Sequence, residues 1–258
     1  MRIACLGSGS RGNATLIQQD ETCVLVDCGF SVRELERRLA DLGLDLAMLS
    51  AVLVTHEHGD HISGVSRLAR RSGIPVHATR GTARFLDDDV CVQEVKPDGV
   101  FRVGALEVTP YPVPHDASEP CQFVLRGGSA CFGMLTDAGH VTPHMVRSLS
   151  RCQVLYLECN HDSEMLRTGS YPAALKERVA GRYGHLSNAQ AADLLGALDR
   201  AGLHTVVAAH LSEKNNQVGL AHAALSETLA RSPGGNDGAT AQIHIAMQDT
   251  VLGWIDVT

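Results

Sequence analysis

The sequence has 258 residues, of which 44% are hydrophobic, and a formal net charge of −7 at pH 7. A chain of this length can bury one sizeable core, so we predict a single domain spanning residues 1–258. It contains no run of about 18 apolar residues, which argues against a membrane-spanning helix. The first residues lack a signal-peptide pattern, and the eight cysteines are scattered singly. We therefore expect a cytoplasmic protein with reduced thiols and no membrane partner.

Short apolar runs separated by glycine and other turn residues predict many strands interspersed with helices. In chain order, the predicted strands are residues 3–6, 14–17, 23–26, 51–54, a segment near Val76, 90–95, 106–111, 122–126, 130–135, 153–158, a strand before His210 and two closing strands. The predicted helices are residues 31–42 with Ser31 as the cap, 62–71, one that starts at Thr142 and Pro143, 172–180, 188–201 and 219–230. Residues 232–238 predict a flexible loop.

Residues 55–61 (THEHGDH) place three histidines and an aspartate directly after the apolar run 51–54. Because side chains alternate along a strand, the first two histidines project to the same side, and the aspartate and last histidine approach from the following turn. Imidazole and carboxylate groups are ligands of Zn, Mn and Fe, and groups so costly to desolvate are rarely packed together without a cation. The segment therefore predicts a metal site, and the alternative is a histidine-rich solvated loop.

Three further polar residues follow other apolar runs. They are His115, Asp137 and His210. Loops at the ends of strands gather along one edge of a sheet, so these side chains are candidates for the same site.

Taken in order, these residues resemble the signature of the metallo-β-lactamase fold superfamily, which is an aspartate after a strand, then HxHxDH, His, Asp and His. The resemblance implies an α/β (α+β) fold, a four-layer αββα sandwich, with two divalent metal ions as cofactors. It implies that one ion is held by His56, His58 and His115, the other by Asp60, His61 and His210, and that Asp137 bridges both. Asp27, the aspartate after a strand in that signature, would orient ligands through hydrogen bonds, and its alternative is a plain turn residue before Gly29. The donor types suit Zn, Mn and Fe alike, so the sequence leaves the metal open.

Two positions favour hydrolysis of an ester or phosphodiester within that superfamily. Antibiotic-hydrolysing relatives carry Cys where this chain has Asp137, and oxygen-reducing relatives carry Glu where it has His58. Two dications and two carboxylates leave the site with about two positive charges, so a phosphodiester is attracted there despite the negative net charge.

A second set of segments narrows the resemblance. Residues 184–192 (GHLSNAQAA) are similar to the histidine-containing segment of ribonuclease Z-type phosphodiesterases, in which that histidine lies by the scissile phosphate. With residues 6–13 (LGSGSRGN), 158–162 (ECNHD) and 210–216 (HLSEKNN), the chain resembles the YycJ-like subgroup, whose members resemble or act as DNA exonucleases. The resemblance implies that His185 assists departure of the leaving oxygen, and the alternative is a histidine that packs on the sheet. The candidate catalytic residues are Asp60, Asp137 and His185.

Six other residues are candidate substrate contacts, and each has a structural alternative. They are Ser8, Ser10, Asn13, Asn160, His161 and Arg178. The glycine-rich segment that holds the first three is also explained by a tight turn between strands. The next two suit a loop scaffold, and the arginine suits a solvated helix face.

We therefore expect a dinuclear metal-dependent phosphodiesterase, a DNA exonuclease in which a hydroxide bridging the ions attacks phosphorus in line. The expected partner is nucleic acid, with DNA favoured over RNA. The oligomeric state stays open, a homodimer included. Two alternatives remain: a hydrolase of small esters, lactones, thioesters or cyclic phosphodiesters on the same metals, and a non-catalytic metal-binding protein.

Overall fold

The computed structural model of the protein describes residues 1–231 and 241–258. Two compact units are present, which we call the first unit and the second unit. The first comprises Met1–Pro112, Ala117–Ala130 and Met247–Thr258, and the second comprises Val113–Asp116 and Cys131–Ala246. The single domain expected from the sequence stays a prediction, and the loop expected at residues 232–238 lies outside the described residues. Across the described ranges, no helix is both long and apolar enough to span a membrane.

The first unit is built on a mixed sheet. With strands numbered along the whole chain, its members are β1 (Arg2–Gly7), β2 (Ala14–Gln19), β3 (Thr22–Val26), β4 (Ala51–Leu53), β5 (Val76–Ala78), β6 (Val92–Glu94) and β14 (Leu252–Asp256). Their hydrogen-bonded order is β14-β1-β2-β3-β4-β5-β6. The pairs from β14 to β3 are antiparallel, and those from β3 to β6 are parallel. An antiparallel ladder in the same unit contains β7 (Phe101–Val103), β8 (Leu106–Pro112) and β9 (Cys121–Gly127).

The helices of the first unit are α1 (Val32–Ala40), α2 (Gly59–Ile62), α3 (Val65–Ser72) and α4 (Arg80–Ala83), with a 3₁₀ turn at Leu46–Met48. Helices α1 and α3 pack apolar residues onto the core. The predicted cap of α1 is confirmed, because the Ser31 hydroxyl accepts a hydrogen bond from the Glu34 N–H at 3.3 Å. Leu35 and Leu39 of α1 are fully buried in one cluster with sheet residues such as Leu25.

The prediction of one helix over residues 62–71 is wrong, because the chain forms α2 and α3 with a break at Gly64. The Gly64 N–H donates to the Cys28 carbonyl at 2.8 Å. A Cβ atom at Gly64 would lie 2.0 Å from the Phe30 carbonyl oxygen, so only glycine permits this approach. Gly29 shows the same constraint, since its Cβ would lie 1.9 Å from the Asp60 carbonyl oxygen. Both contacts hold the turn after β3 against the residues that follow β4.

The second unit contains a parallel ladder. Its strands are β10 (Ala130–Leu135), β11 (Val154–Glu158), β12 (Thr205–Ala209) and β13 (Gln242–Ile245), paired in that order. The residues of β10, β11 and β12 are buried throughout, which explains their nearly continuous apolar runs. Parallel strands have their carboxyl ends at one edge. The residues that end or follow these strands, Asp137, Glu158 and His210, therefore gather there.

The helices of the second unit are α5 (Pro143–Leu149), α6 (Ser163–Thr168), α7 (Ala173–Val179), α8 (Asn188–Ala197) and α9 (Val218–Arg231). Thr142 caps α5, as predicted, by accepting from the Met145 N–H at 3.2 Å. The expected end of α8 at Ala201 is wrong, because Leu198 is already extended and ends the helix. The sequence analysis also missed α4, α6 and β7, which are too short to show a clear hydrophobic period.

Candidate metal and phosphate site

In the first unit, the segment after β4 brings its histidines together. The ring centroids of His56 and His58 are 4.6 Å apart, and those of His56 and His61 are 4.2 Å apart. His58 precedes α2, and Asp60 lies in the first turn of that helix. A carboxylate oxygen of Asp60 lies 3.5 Å from Nε2 of His61. The three imidazoles and the carboxylate of this motif therefore form one cluster.

Asp27 lies directly after β3 and is fully buried against this cluster. One carboxylate oxygen accepts from the Thr55 N–H and the other from the Thr55 hydroxyl, both at 2.8 Å. The second oxygen is also 2.7 Å from Nδ1 of His61. Since a carboxylate only accepts, Nδ1 of His61 carries the proton and Nε2 carries the lone pair. This contact sets the tautomer that a metal ligand bonded through Nε2 requires.

The glycine-rich segment places Asn13 beside the same cluster. Its amide nitrogen lies 3.1 Å from Nε2 of His61 and 3.4 Å from a carboxylate oxygen of Asp60. Ser8 is buried, and its hydroxyl donates to the Asn13 side-chain oxygen at 3.3 Å. Ser10 is exposed, and the structure does not bring it into these contacts. Of the three candidate substrate contacts in this segment, Asn13 touches the predicted ligands Asp60 and His61.

The second unit contains a further cluster, made of Asp137, Glu158, His185 and His210. Each offers one potential ligand atom, and the four atoms lie within 4.8 Å of one another. Nδ1 of His185 is 2.8 Å from a Glu158 oxygen and 3.2 Å from an Asp137 oxygen. Nδ1 of His210 is 3.2 Å from the same two oxygens.

His115 joins this cluster from the segment after β8. Its Nδ1 lies 3.0 Å from the Gly184 carbonyl oxygen, an acceptor that holds a proton on that nitrogen. Its Nε2 lies 3.9 Å from an Asp137 oxygen, and its ring centroid is 5.2 Å from that of His185. The predicted residues His115, Asp137, His185 and His210 thus lie close together within the second unit.

Glu158 is a site residue that the sequence analysis missed. Its carboxylate is fully buried and also accepts from the N–H groups of Ala138 at 2.9 Å and Leu186 at 3.1 Å. It follows the same rule that identified Asp137, because it is a polar residue at the end of an apolar strand. The sequence analysis treats Glu158 as the end of the predicted strand 153–158 and as part of the 158–162 segment, and gives it no role in the site. Its position after four apolar residues was the signal that could have identified it as a site residue.

The charges of this cluster are strongly coupled. Burial opposes protonation of His185, but the carboxylates of Glu158 and Asp137 outweigh burial and raise its pKa to about 10. Burial likewise opposes ionisation of Glu158, yet the neighbouring His185 outweighs it and lowers the pKa of the carboxyl. In the absence of metal, the cluster therefore carries a proton on His185 at neutral pH.

The other three candidate substrate contacts lie in the second unit, and the side chains of Asn160 and Arg178 have partners of their own. The Asn160 amide donates to the His210 carbonyl at 3.1 Å, and the Asn160 carbonyl accepts from the Ser212 N–H at 2.8 Å. His161 is buried, and burial lowers its pKa. Nε of Arg178 lies 2.6 Å from an Asp116 oxygen, so an ion pair holds its guanidinium beside His115. Asn160 thus positions the loop that carries His210.

The side chains clustered in each unit are of the chemical types that bind divalent metal ions. The first unit offers three imidazoles and one carboxylate, and the second offers three imidazoles and two carboxylates. Nitrogen and oxygen donors of these types are the ligands of Zn, Mn and Fe in hydrolases. The clustered histidines and acids therefore indicate divalent metal binding.

Comparison with known proteins agrees with this chemistry. Residues 22–211 match the family described as "Beta-lactamase superfamily domain". The exodeoxyribonuclease YycJ of Bacillus anthracis is 32% identical over 250 residues, which cover 95% of this chain and 94% of that protein. The exodeoxyribonuclease WalJ of Streptococcus pneumoniae serotype 2 (strain D39) is 31% identical over 239 residues, 90% of this chain and 89% of that one. The crystal structure of the metallo-β-lactamase fold protein YhfI from Bacillus subtilis matches with a TM-score of 0.72 at 15% identity, covering 97% and 98% of the two chains. This structural likeness confirms the predicted fold.

Proposed function

Since the chain belongs to the beta-lactamase superfamily and is a metal-dependent hydrolase of that fold, we propose that it is a dinuclear phosphodiesterase that degrades DNA as an exonuclease. The observation that carries the proposal is its 32% identity to the exodeoxyribonuclease YycJ across 95% of this chain. DNA is the proposed substrate in preference to RNA, and the cytoplasm is the proposed location. The oligomeric state stays open.

We propose two divalent ions, Zn, Mn or Fe, as cofactors. Their proposed ligands are His56, His58, Asp60 and His61 from the first unit and His115, Asp137 and His210 from the second. The proposal is supported by the donor chemistry inside each unit and by the hydrogen bonds that fix Nδ1 of His61 and of His115, since both leave Nε2 as the metal-binding nitrogen. When bound, such ions supply a water of lowered pKa and offset negative charge on the phosphate oxygens.

His185 is the proposed proton donor to the leaving oxygen. Glu158 holds its Nδ1 at 2.8 Å, which orients the ring and leaves Nε2 for the substrate. In the metal-free protein the carboxylates of Glu158 and Asp137 raise the pKa of His185, and a general acid has to carry a proton when it reacts. Asp60 and Asp137 complete the proposed catalytic set as charged groups beside the reacting phosphate.

The test is digestion of end-labelled single- and double-stranded DNA and RNA by the purified protein, with Zn, Mn or Fe added back after chelation. Stepwise loss of terminal nucleotides from DNA is expected. Replacement of His58 or Asp137 by Ala abolishes turnover, and His185→Ala slows turnover but retains metal measured by elemental analysis. His222→Ala, an exposed histidine outside both clusters, is the matched control.

Three outcomes contradict the proposal. Internal fragments would indicate an endonuclease. Turnover of lactones or thioesters without cleavage of DNA would indicate a small-molecule hydrolase. Full activity of the Asp137 variant would remove the metal assignment.

A further inference from the structure

A groove on the first unit lies next to the segment that follows β4, and the proposed site does not include it. Its volume is about 450 Å³. The lining residues that matter are Arg80, Arg84, Glu94, Lys96, Ser118 and Glu119. Two hydrogen bonds connect the groove to the histidine motif. The Ser118 N–H donates to the Glu57 carboxylate at 2.6 Å, and the Cys121 N–H donates to the Thr55 carbonyl at 3.0 Å.

Three cations face this groove. Arg80, Arg84 and Lys96 are exposed, and within residues 1–231 and 241–258 none of them forms a salt bridge. The nearby Arg70, by contrast, pairs with both Asp87 and Asp89. In a chain with a net charge of −7, unpaired cations lining one concave surface favour an anionic ligand over a purely structural role.

The two acids of the groove, Glu94 and Glu119, offset two of its three positive charges. Glu119 is already engaged, because its carboxylate accepts from the Gly81 N–H at 2.7 Å and its carbonyl accepts from the Thr79 hydroxyl at 2.8 Å. A Cβ at Gly81 would lie 2.5 Å from Cβ of Glu119, so this contact needs glycine and fixes α4 against the 118–121 segment. Glu94 is the only other carboxylate in the lining described. The groove keeps a positive balance on a fixed scaffold.

An exposed aromatic side chain that adjoins Arg84 in the sequence, outside the lining of the groove itself, adds a second feature. Phe85 follows Arg84 directly, and 59% of its surface is exposed. Contact of an exposed phenylalanine side chain with water is unfavourable, and a binding partner that covers the ring removes this cost. Cationic grooves with an exposed aromatic ring are the combination that binds single-stranded nucleic acid, with phosphates on the cations and a base stacked on the ring.

We propose that this groove binds a single-stranded DNA segment of the substrate away from the scissile phosphate. Arg80, Arg84 and Lys96 contact backbone phosphates, and Phe85 stacks on a base. This inference rests on the proposed function, because it assigns the path of the DNA that enters the same enzyme. The contacts made by Ser118 and Cys121 put that path next to the metal motif.

The test measures binding of a fluorescently labelled single-stranded DNA 20-mer by anisotropy, in a chelating buffer that prevents turnover. Three lost phosphate contacts reduce the affinity of the R80A/R84A/K96A variant on the order of 100-fold at about 0.1 M salt, and lower the slope of log K against log salt by about 2. F85A weakens binding roughly 5- to 100-fold. The control is R33A/R67A/R126A, which removes three exposed arginines of the same unit that form no salt bridge with any residue the structure describes; it binds as the wild type does.

A second measurement separates this inference from the proposed function. With metal restored, kcat/KM of the groove variant falls on the 20-mer far more than on bis-(p-nitrophenyl) phosphate, which is too small to reach the groove. Equal losses on both substrates, a lowered unfolding temperature, or equal weakening by the control triple variant would overturn the groove assignment. If the wild type binds DNA through the groove but cleaves no phosphodiester, the proposed function fails and the groove stands. If the wild type cleaves DNA and the groove variant cleaves it equally well, the proposed function stands and the groove assignment fails.

Discussion

The buried carboxylate of Glu158 offers a sharp test of the second cluster. It accepts hydrogen bonds from the N–H groups of Ala138 and Leu186, and its Oε1 lies 2.8 Å from Nδ1 of His185 and 3.2 Å from Nδ1 of His210. In Glu158→Gln, the amide oxygen accepts from about two of these donors and the amide NH₂ faces the other two. A buried donor left unsatisfied costs about 1–3 kcal/mol, so the metal-free variant loses about 2–6 kcal/mol of unfolding free energy.

Urea unfolding in chelating buffer, followed by circular dichroism, measures this loss. Glu164→Gln is the matched control, because Glu164 is an exposed carboxylate of the same unit paired only with Arg167 at the surface, and it should unfold close to the wild type. Metal titration by calorimetry provides an independent readout. Since Glu158 also orients His210, we expect the variant's metal affinity to fall about 10- to 100-fold. A variant that unfolds within 1 kcal/mol of the wild type and binds metal equally well would refute the reasoning.

Two further predictions follow from the clusters. Asp27→Asn places an NH₂ or a non-ionised oxygen opposite Nδ1 of His61 and the Thr55 donors, so we expect metal affinity to fall about 10- to 100-fold while the fold is retained. Calorimetry measures the affinity and circular dichroism checks the fold. An unchanged affinity would show that Asp27 is only a turn residue. For His185 the folded pKa of about 10 lies above the unfolded value of about 6.5, so its stabilisation is complete below about pH 6.5 and is lost as pH rises to about 10. In chelating buffer, the stability difference between wild type and His185→Gln therefore shrinks from pH 6.5 to 10, and a constant difference would contradict the coupling.

The sequence predicted the ends of the parallel strands well, because a polar residue after an apolar run is a local signal. Asp137 and His210 were identified in this way, and Glu158 obeys the same rule. What the sequence could not show are partners brought together only by folding. The sequence analysis treats Arg178 as a candidate substrate contact. In the structure its guanidinium pairs with Asp116, which lies 62 residues earlier in the chain.

The same limit applies to the groove beside the metal motif. Helix α4 is a single turn of four residues, so no periodicity marks it. The contact between Gly81 and Glu119 joins residues 38 positions apart. The sequence analysis assigns no role to Arg80, Arg84 and Lys96, because their common surface exists only after these segments meet.

Backbone conformation links the fold to the chemistry of the site. Six described residues other than glycine have positive φ, and three of them are predicted site residues: Asp27 at 61°, Asp137 at 37° and His210 at 54°. Left-handed backbone costs an L-residue roughly 1–2 kcal/mol, and a short polar side chain such as Asp tolerates it best. Histidine is also found at positive φ more often than most residues, and the hydrogen bond from Asn160 to the His210 carbonyl holds this conformation in place. All three residues directly follow, or nearly follow, a buried strand. The backbone strain is therefore located at residues whose side chains supply or orient the proposed metal-binding atoms. The buried strands that precede these residues hold the strained conformations in place.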